Sequence, residues 1–179
     1  NPLVVIRNFS MEERTAIKKE LENSKYDVIH AETFYVMPHI PETDVPIVLV
    51  EPTIEFSVYG HYADNEVPWF VKPIYMFDVI KLKFWEKYYW KRASKLFAVS
   101  EEDKEIMKKE MVGIDVGIIP NGVDVSYFDE KRVIKEIPQR ILYHGDYKWM
   151  QNVEAVNILI KDIWPIVKKE VKNSKLWIS

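Results

Sequence analysis

Several side chains that can move protons or bind hydroxyl groups stand at the ends of apolar runs in this sequence. His30 and Glu32 close the run 26–32, and an imidazole or a carboxylate can exchange a proton with a reacting hydroxyl group. Glu51 and Glu55 follow the next apolar run, where carboxylates can bind the hydroxyl groups of a ligand. Two plain alternatives stay open: His30 as a structural residue, and the two glutamates as partners of surface cations.

Two glycines follow apolar runs and stand close to a polar or basic side chain. Asn121 and Gly122 stop the run 116–120 abruptly. The pair predicts a turn in which Gly122 takes a backbone conformation closed to other residues, while the Asn121 amide can also bind a ligand. Gly145 closes a later run and Lys148 follows it. In the absence of a G-x-G-x-x-G motif or a P-loop, this glycine alone is weak evidence for a phosphate site.

Composition excludes several kinds of site and partner. A net charge of −3 and a pI near 5.9 give no electrostatic reason to bind nucleic acid. Without cysteine there is no disulfide, thiol nucleophile or zinc–thiolate site, and the four histidines lack a metal-ligand spacing such as H-E-x-x-H. We therefore predict no metal site. The sequence shows no signal peptide and no run of roughly 18 apolar residues, which predicts a soluble, cytoplasmic protein.

Apolar runs that alternate with charged helical stretches must position these side chains. The sequence predicts strands at 2–9, 26–32, 45–52, 95–100, 116–120, 140–145 and 175–179. It predicts helices at 10–25, 101–111 and 152–173, the first two capped by Ser10 and Ser100. Continuous apolar strands between helices favour an α/β fold with a Rossmann-like parallel sheet covered on both faces. The polar stretch 121–139 is the one good candidate for a domain linker.

The segment 68–92 differs from the rest of the chain. It holds nine of the 24 aromatic residues, and six basic residues against two acids. Phe77, Ile80, Phe84 and Tyr88 recur at helical spacing, so this stripe can lie in a bilayer interface as a peripheral contact at the inner face of the membrane. The alternative, which we favour, is an amphipathic helix packed on the sheet, with its lysine ammonium groups reaching water.

Three motifs, "AVSEEDKEIM", "IIPNGVDVSYF" and "ILYHGDYKWMQNVEAVNILI", resemble the join between the two domains of a GT-B glycosyltransferase of the family 4, or group 1, type. The similarity extends upstream to "YDVIHAE" and "VPIVLVEPTIEF", although 96–179 is its most specific part. It implies an acceptor-side Rossmann-like domain at 1–120, a linker at 121–139 and the first β-α-β of a donor-binding Rossmann-like domain at 140–179. Because the chain starts without methionine and stops in an apolar strand, we expect a truncated fragment that alone turns over no nucleotide sugar.

The resemblance implies a retaining, metal-independent hexosyltransferase that uses a nucleotide sugar as donor substrate and needs no cofactor. The implied acceptor is a glycan, a lipid-linked molecule or a small molecule. His30 and Glu32 match positions of catalytic residues, although Glu32 replaces the second histidine of the family pattern. The implied binding residues are Glu51, Glu55, Asn121 and Gly122 for the acceptor, and Gly145 and Lys148 for the donor. Asp146 stands where many relatives carry an arginine.

A second hypothesis is a non-catalytic module that derives from the GT-B fold and binds a sugar or a protein partner. The parent sequence after Ser179 discriminates between the two hypotheses. The enzyme is expected to have a Gly-rich turn, a basic residue and two glutamates seven residues apart in a downstream donor site. A degenerate transferase is expected to lack them.

Overall fold

The computed structural model describes residues 1–128 and 139–179. These residues form two compact units, 1–123 and 124–179. More than half of the predicted linker 121–139 lies outside the described residues, so the division into an acceptor-side and a donor-side domain stays a prediction.

The first unit is built on a parallel four-stranded sheet. Its strands are β1 (Ile29–Glu32), β2 (Ile47–Glu51), β3 (Lys95–Ala98) and β4 (Val116–Ile118). Its helices are α1 (Leu3–Asn8), α2 (Met11–Asn23), α3 (Glu55–Asn65), α4 (Lys72–Arg92) and α5 (Glu101–Glu110), together with a 3₁₀ helix (Phe34–His39). The strands lie in the order β1-β2-β3-β4, and every neighbouring pair is parallel. The predicted α/β fold with a Rossmann-like parallel sheet is confirmed.

Strand β2 lies inside the sheet, and four of its five residues are buried. Leu49 pairs with Ala31 on one side and with Leu96 on the other, and all three side chains belong to the hydrophobic core. A strand covered on both faces needs apolar residues at successive positions rather than at alternate ones. This requirement explains why the run 45–52 is continuously apolar.

Residues 3–8 form helix α1, so the strand predicted at 2–9 is wrong. A run of β-branched residues favours a strand when tertiary contacts are ignored. Here both carboxylate oxygens of Asp78, on helix α4, accept the N–H of Leu3 at 3.1 and 3.2 Å. The carboxylate satisfies a backbone donor that the first turn of a helix leaves free. Val5 is buried in the core, so packing adds to the stability of the helix.

The two predicted serine caps are confirmed. The hydroxyl oxygen of Ser10 accepts the N–H of Glu13 at 3.2 Å at the start of α2. That of Ser100 accepts the N–H of Asp103 at 3.1 Å at the start of α5. In a complete capping box, the Glu13 side chain would accept the N–H of Ser10 in return. That N–H donates instead to Nε2 of His39 at 2.9 Å.

Helix α4 carries large apolar side chains on two opposite faces. One face is buried and consists of Val79, Leu82, Glu86, Tyr89 and Trp90. The stripe singled out in the sequence, Phe77, Ile80, Phe84 and Tyr88, lies on the exposed face. The helix that the sequence favours is present, and it packs on the core through the face opposite to this stripe.

The described residues of the second unit include a β-α-β arrangement. Its elements are α6 (Val125–Phe128), β5 (Arg140–Tyr143), α7 (Met150–Ile158), a π-helical turn (Leu159–Ile163), α8 (Trp164–Glu170) and β6 (Lys175–Ile178). Strands β5 and β6 form their own parallel two-stranded sheet. The predicted long helix is present, but it is irregular. Pro165 lacks the N–H that a regular α-helix requires, and the π-helical turn Leu159–Ile163 lies just before this proline.

Candidate functional site

The carboxyl ends of β1 and β2 lie side by side, because Glu32 pairs with Val50 in the parallel register. Thr33 follows β1 with a φ of 66°, a left-handed conformation that a β-branched residue rarely adopts. Its N–H donates to the carbonyl of Val50 at 2.9 Å, which holds the chain against β2. Backbone strain of this kind concentrates at functional sites, so it marks this end of the sheet as a candidate site.

Glu51, the last residue of β2, is completely buried. One of its carboxylate oxygens accepts the backbone N–H of Phe34 at 3.2 Å, and the other accepts the indole N–H of Trp90 at 3.1 Å. Glu51 therefore joins the 3₁₀ helix and α4 to the end of the sheet. Its predicted contact with an acceptor stays a prediction. The two hydrogen bonds that the structure shows, to Phe34 and Trp90, stabilise the fold.

Glu86 reaches from α4 to the first turn of α3 and is also completely buried. Its two oxygens accept the N–H groups of Glu55 at 2.9 Å and of Phe56 at 3.0 Å. Residue Ile54, which precedes the helix, has no side-chain group that can cap it. A carboxylate from another helix thus satisfies the donors that a serine or aspartate satisfies at most helix starts.

Glu55 is the first residue of α3 and is only partly buried. Its carboxylate is hydrogen-bonded to the hydroxyl of Tyr35, on the 3₁₀ helix after β1. Burial raises the pKa of the Glu55 carboxyl, and the bond from Tyr35 partly offsets that effect. Among the three clustered carboxyls, Glu55 is the one that combines partial exposure with a perturbed pKa, which makes it the best candidate to meet a ligand.

The charges of Glu51, Glu55 and Glu86 are close enough to affect one another's pKa values. Burial raises the pKa of Glu86 to about 8. Burial, and next the negative charge of Glu86, raise the pKa of Glu51 well above its ordinary value. Carboxyls with raised pKa values hold protons near neutral pH and can give or take them there. Burial therefore favours the protonated forms of Glu51 and Glu86, and Glu55 is the partly exposed member of the three.

His30 and Glu32 project from the edge strand β1 and are both exposed. They line a cavity of about 470 Å³ together with apolar side chains of α2 and of the segment after β1, namely Ile17, Leu21, Val36 and Ile40. The structure thus places the two predicted catalytic residues in one cavity. Their catalytic roles stay predictions.

Asn121 and Gly122 follow β4 and are exposed. Strand β3 separates β4 from β2, so the ends of β2 and β4 lie roughly 10 Å apart from strand spacing alone. The expectation that Gly122 takes a backbone conformation closed to other residues is wrong, because its φ lies outside the left-handed region. A Cβ atom at this position would meet no heavy atom within 4 Å. The predicted acceptor contacts of both residues stay predictions.

Gly145 and Lys148 lie in the loop between β5 and α7 of the second unit. A Cβ atom on Gly145 would come within 3.2 Å of the Asn152 side chain, whose amide donates to the carbonyl of Asp146 at 2.9 Å. The Asp146 carboxylate accepts the backbone N–H of Lys148 at 3.0 Å, and the Lys148 side chain is exposed. The loop offers an exposed ammonium group close to the start of a helix, which is the kind of surface that phosphate binds.

Comparison with known protein families gives one match. The family model described as Glycosyltransferase Family 4 matches residues 2–127, well over half of the chain. The chain belongs to glycosyltransferase family 4. No curated protein matches it.

The glycosyltransferase family 4 match covers the sites in the first unit and none of those in the second. The sequence predicts that residues 96–179 are the most specific part of the resemblance to the family. The family model instead matches residues 2–127. The donor-side residues Gly145 and Lys148 lie outside it. Among the described residues, no three His, Asp or Glu side chains are grouped so as to hold a metal ion.

Sequence reasoning missed two buried polar residues of this glycosyltransferase family 4 domain. Glu86 recurs at helical spacing with Leu82 and Trp90, so an acid on an otherwise buried apolar stripe was the available signal. His39 is 1% exposed, and in the described part of the chain its Nδ1 has no hydrogen-bond partner. No local pattern marks His39, since its bond to Ser10 joins residues far apart in sequence.

Proposed function

We propose that the chain takes part in transferring a sugar from a nucleotide-sugar donor to a hydroxyl group of a glycan, lipid-linked or small-molecule acceptor. We further propose that the anomeric configuration is retained and that no metal ion is needed. Membership in glycosyltransferase family 4 supports the reaction class. The observation that carries the acceptor side is Glu55, a partly buried carboxyl with a raised pKa at the start of α3, the helix that follows β2.

In this proposal Glu55 binds the acceptor hydroxyl. A carboxylate accepts the hydroxyl proton in a hydrogen bond, and a raised pKa brings it closer to the value at which it can take that proton. Tyr35 holds the Glu55 carboxyl, and Glu86 holds the backbone N–H of the same residue. His30 and Glu32, on the neighbouring strand, orient further hydroxyl groups of the sugars. Each role follows from the chemistry of the side chain and its place at the end of the sheet.

On the donor side, Gly145 and Lys148 approach the pyrophosphate of the nucleotide sugar. The ammonium group of Lys148 and the N-terminus of α7 supply positive charge, which offsets the charge that a leaving nucleoside diphosphate develops. The bond from the Lys148 N–H to Asp146 orders the loop that carries this lysine.

A thermal-shift screen with common nucleotide sugars tests the donor side. A donor that binds only the native protein raises the melting temperature. Lys148→Ala is expected to reduce that shift, whereas Lys161→Ala, which removes an equal charge from an exposed position of the π-helical turn, is expected to preserve it. No shift with any donor, in this chain and in any longer protein that contains it, would contradict the proposal.

Transfer and retention are tested separately from binding. With a donor that stabilises the protein, NMR of the product is expected to show the anomeric configuration of the donor, with and without a metal chelator. The non-catalytic module is the second candidate function, and the replacement of a family histidine by Glu32 favours it. A sugar ligand that binds without ever being transferred would support that second candidate.

A further inference from the structure

Helix α4 presents a broad apolar face to the outside of the first unit. This outer apolar face consists of Trp69, Phe70, Ile74, Phe77, Ile80, Phe84 and Tyr88, which are between 45% and 84% exposed. The core of the unit is formed by the opposite face of α4, and large contiguous apolar patches mark sites of interaction. The outer apolar face is therefore a surface that another molecule can cover.

Ion pairs cancel most of the charge beside the outer apolar face. Four of the six basic side chains of α4 lie 2.6 to 3.3 Å from the carboxylates of Asp64, Asp78 and Glu110, namely Lys72, Lys81, Lys83 and Lys87. Two copies of a strongly charged face would repel each other, whereas two neutralised apolar faces can come into contact. The charge pattern is therefore compatible with a second copy of this chain as the partner.

The stripe along the centre of the outer apolar face has the same spacing in both directions. Ile74, Phe77, Lys81 and Phe84 follow one another at intervals of three, four and three residues, which is the spacing of a coiled-coil seam. Two such helices can lie antiparallel about a two-fold axis at the level of Val79. Ile74 then faces Phe84 of the second copy, and Phe77 faces Lys81 of the second copy. A two-fold contact requires a surface that is complementary to itself, and this stripe meets the requirement.

Lys81 determines the direction of the pairing. Its ammonium group lies 5.3 Å from the centre of the Phe77 ring of its own helix. In a parallel pair of helices the Lys81 side chains of the two copies would face each other and repel. In the antiparallel pair each Lys81 lies beside Phe77 of the second copy, where a cation–π contact is favourable. A single polar residue within an apolar seam can set the register of a helix pair in this way.

The area of the outer apolar face matches what a stable dimer needs. An aromatic side chain buries about 150–250 Å² when it is fully covered, so the exposed fractions of these seven side chains leave roughly 700–900 Å² to cover in each copy. Specific interfaces bury about 800 Å² per partner. Leu3 of α1 is 69% exposed and lines a groove of about 480 Å³ with Ile74 and Phe77, which extends the surface further. One pair of such faces is therefore sufficient for a dimer.

We propose that the outer apolar face joins two copies of this chain into a two-fold dimer, with the two α4 helices antiparallel and closest near Val79. Phe77 and Phe84 of both copies form the centre of the interface. Phe70, which lies just before α4, comes beside Tyr88 of the second copy. This inference does not depend on the proposed sugar transfer.

Sedimentation equilibrium of the purified chain tests the proposal, and we expect a monomer–dimer equilibrium. Phe77→Glu/Phe84→Glu replaces two side chains that are 63% and 68% exposed, so the core stays intact. This double variant is expected to raise the dimer Kd at least about tenfold. Val112→Glu/Val123→Glu makes the same change of charge at positions 97% and 65% exposed, and it is expected to keep the wild-type Kd. Circular dichroism and melting curves verify that both variants are folded.

Cysteine cross-linking tests the orientation, because the chain has no cysteine of its own. Ile80 lies next to the proposed axis, so a short bifunctional maleimide should link two copies of Ile80→Cys. Ile74→Cys is the matched control, since Ile74 is 75% exposed and Ile80 is 62% exposed. In the antiparallel pair the two thiols of Ile74→Cys lie about 15 Å apart along the helices and should not be linked. A parallel pair would bring them together.

Three results would overturn the proposal. They are a chain that stays monomeric at every concentration, equal Kd values for the two glutamate double variants, and any linkage pattern other than that of Ile80→Cys alone. Within 1–128 and 139–179, no helix has both the length and the apolar character that crossing a bilayer requires. Vesicle flotation distinguishes contact with a lipid surface from dimerisation. A wild-type chain that floats with vesicles and forms no dimer would assign the outer apolar face to a membrane instead.

Discussion

A carboxylate oxygen of Glu86 accepts the backbone N–H of Glu55 at 2.9 Å, across 31 residues of sequence. The second oxygen accepts the N–H of Phe56, so one side chain of α4 fixes the start of α3. This start carries the half-buried carboxyl that we assign to the acceptor. The candidate site and the stability of the first unit therefore share one residue, and variants of Glu86 and Glu55 should separate the two effects.

Glu86→Ala is expected to destabilise the first unit strongly. The substitution leaves the N–H groups of Glu55 and Phe56 without their acceptor in a buried place, which should cost about 2–4 kcal/mol. Denaturant unfolding followed by circular dichroism measures the loss. Glu66→Ala removes an exposed acid at the other end of α3 and should change stability by less than about 0.5 kcal/mol. Equal stability of the two variants would contradict the capping role of Glu86.

The pH dependence of stability should reveal the buried carboxyl. Burial raises the pKa of Glu86 from 4.5 to about 8, so in that interval the native state binds more protons than the unfolded state. The free energy of unfolding should therefore fall as pH rises from about 4.5 to about 8. Glu86→Gln keeps a neutral acceptor and should reduce this slope. An unchanged slope in Glu86→Gln would show that Glu86 ionises normally in the folded protein.

Gly117 and Gly122 should respond differently to alanine. A Cβ atom on Gly117 would lie 2.4 Å from the ring of Phe97, its neighbour on β3, so Gly117→Ala forces that ring to move. We expect a loss of about 1–2 kcal/mol. A Cβ atom added at Gly122 would meet no heavy atom within 4 Å beyond its chain neighbours, so Gly122→Ala should leave the melting temperature nearly unchanged. A melting temperature of Gly117→Ala equal to that of the wild type would contradict the close packing of Phe97 on β4.

The features that local sequence determines could be predicted. Strands β1 to β4 follow from apolar runs, because buried parallel strands need apolar residues on both faces. The caps by Ser10 and Ser100 follow from the bond that a hydroxyl makes three residues along the chain. Both kinds of signal operate within a few residues.

The features that distant contacts determine could not be predicted. Helix α1 owes its first turn to Asp78, and α3 owes its start to Glu86, each at least 30 residues away. On α4, apolar residues recur on both faces, so periodicity alone could not say which face packs. The structure exposes the stripe through Phe77 and Phe84 and buries the opposite face.

Glu55 gives the most direct test of the acceptor site. The measurement is kcat/KM for sugar transfer, with a donor that stabilises the protein, in a protein that contains residues 1–179 and transfers the sugar. Glu55→Gln is expected to lower kcat/KM by roughly 10- to 100-fold, the loss of one hydrogen bond to a charged group, while the melting temperature stays near that of the wild type. Glu66→Gln changes an exposed acid that directly follows the same helix and should keep the wild-type value. Equal kcat/KM values for Glu55→Gln, Glu66→Gln and the wild type would contradict the assignment of the acceptor to the carboxyl end of β2.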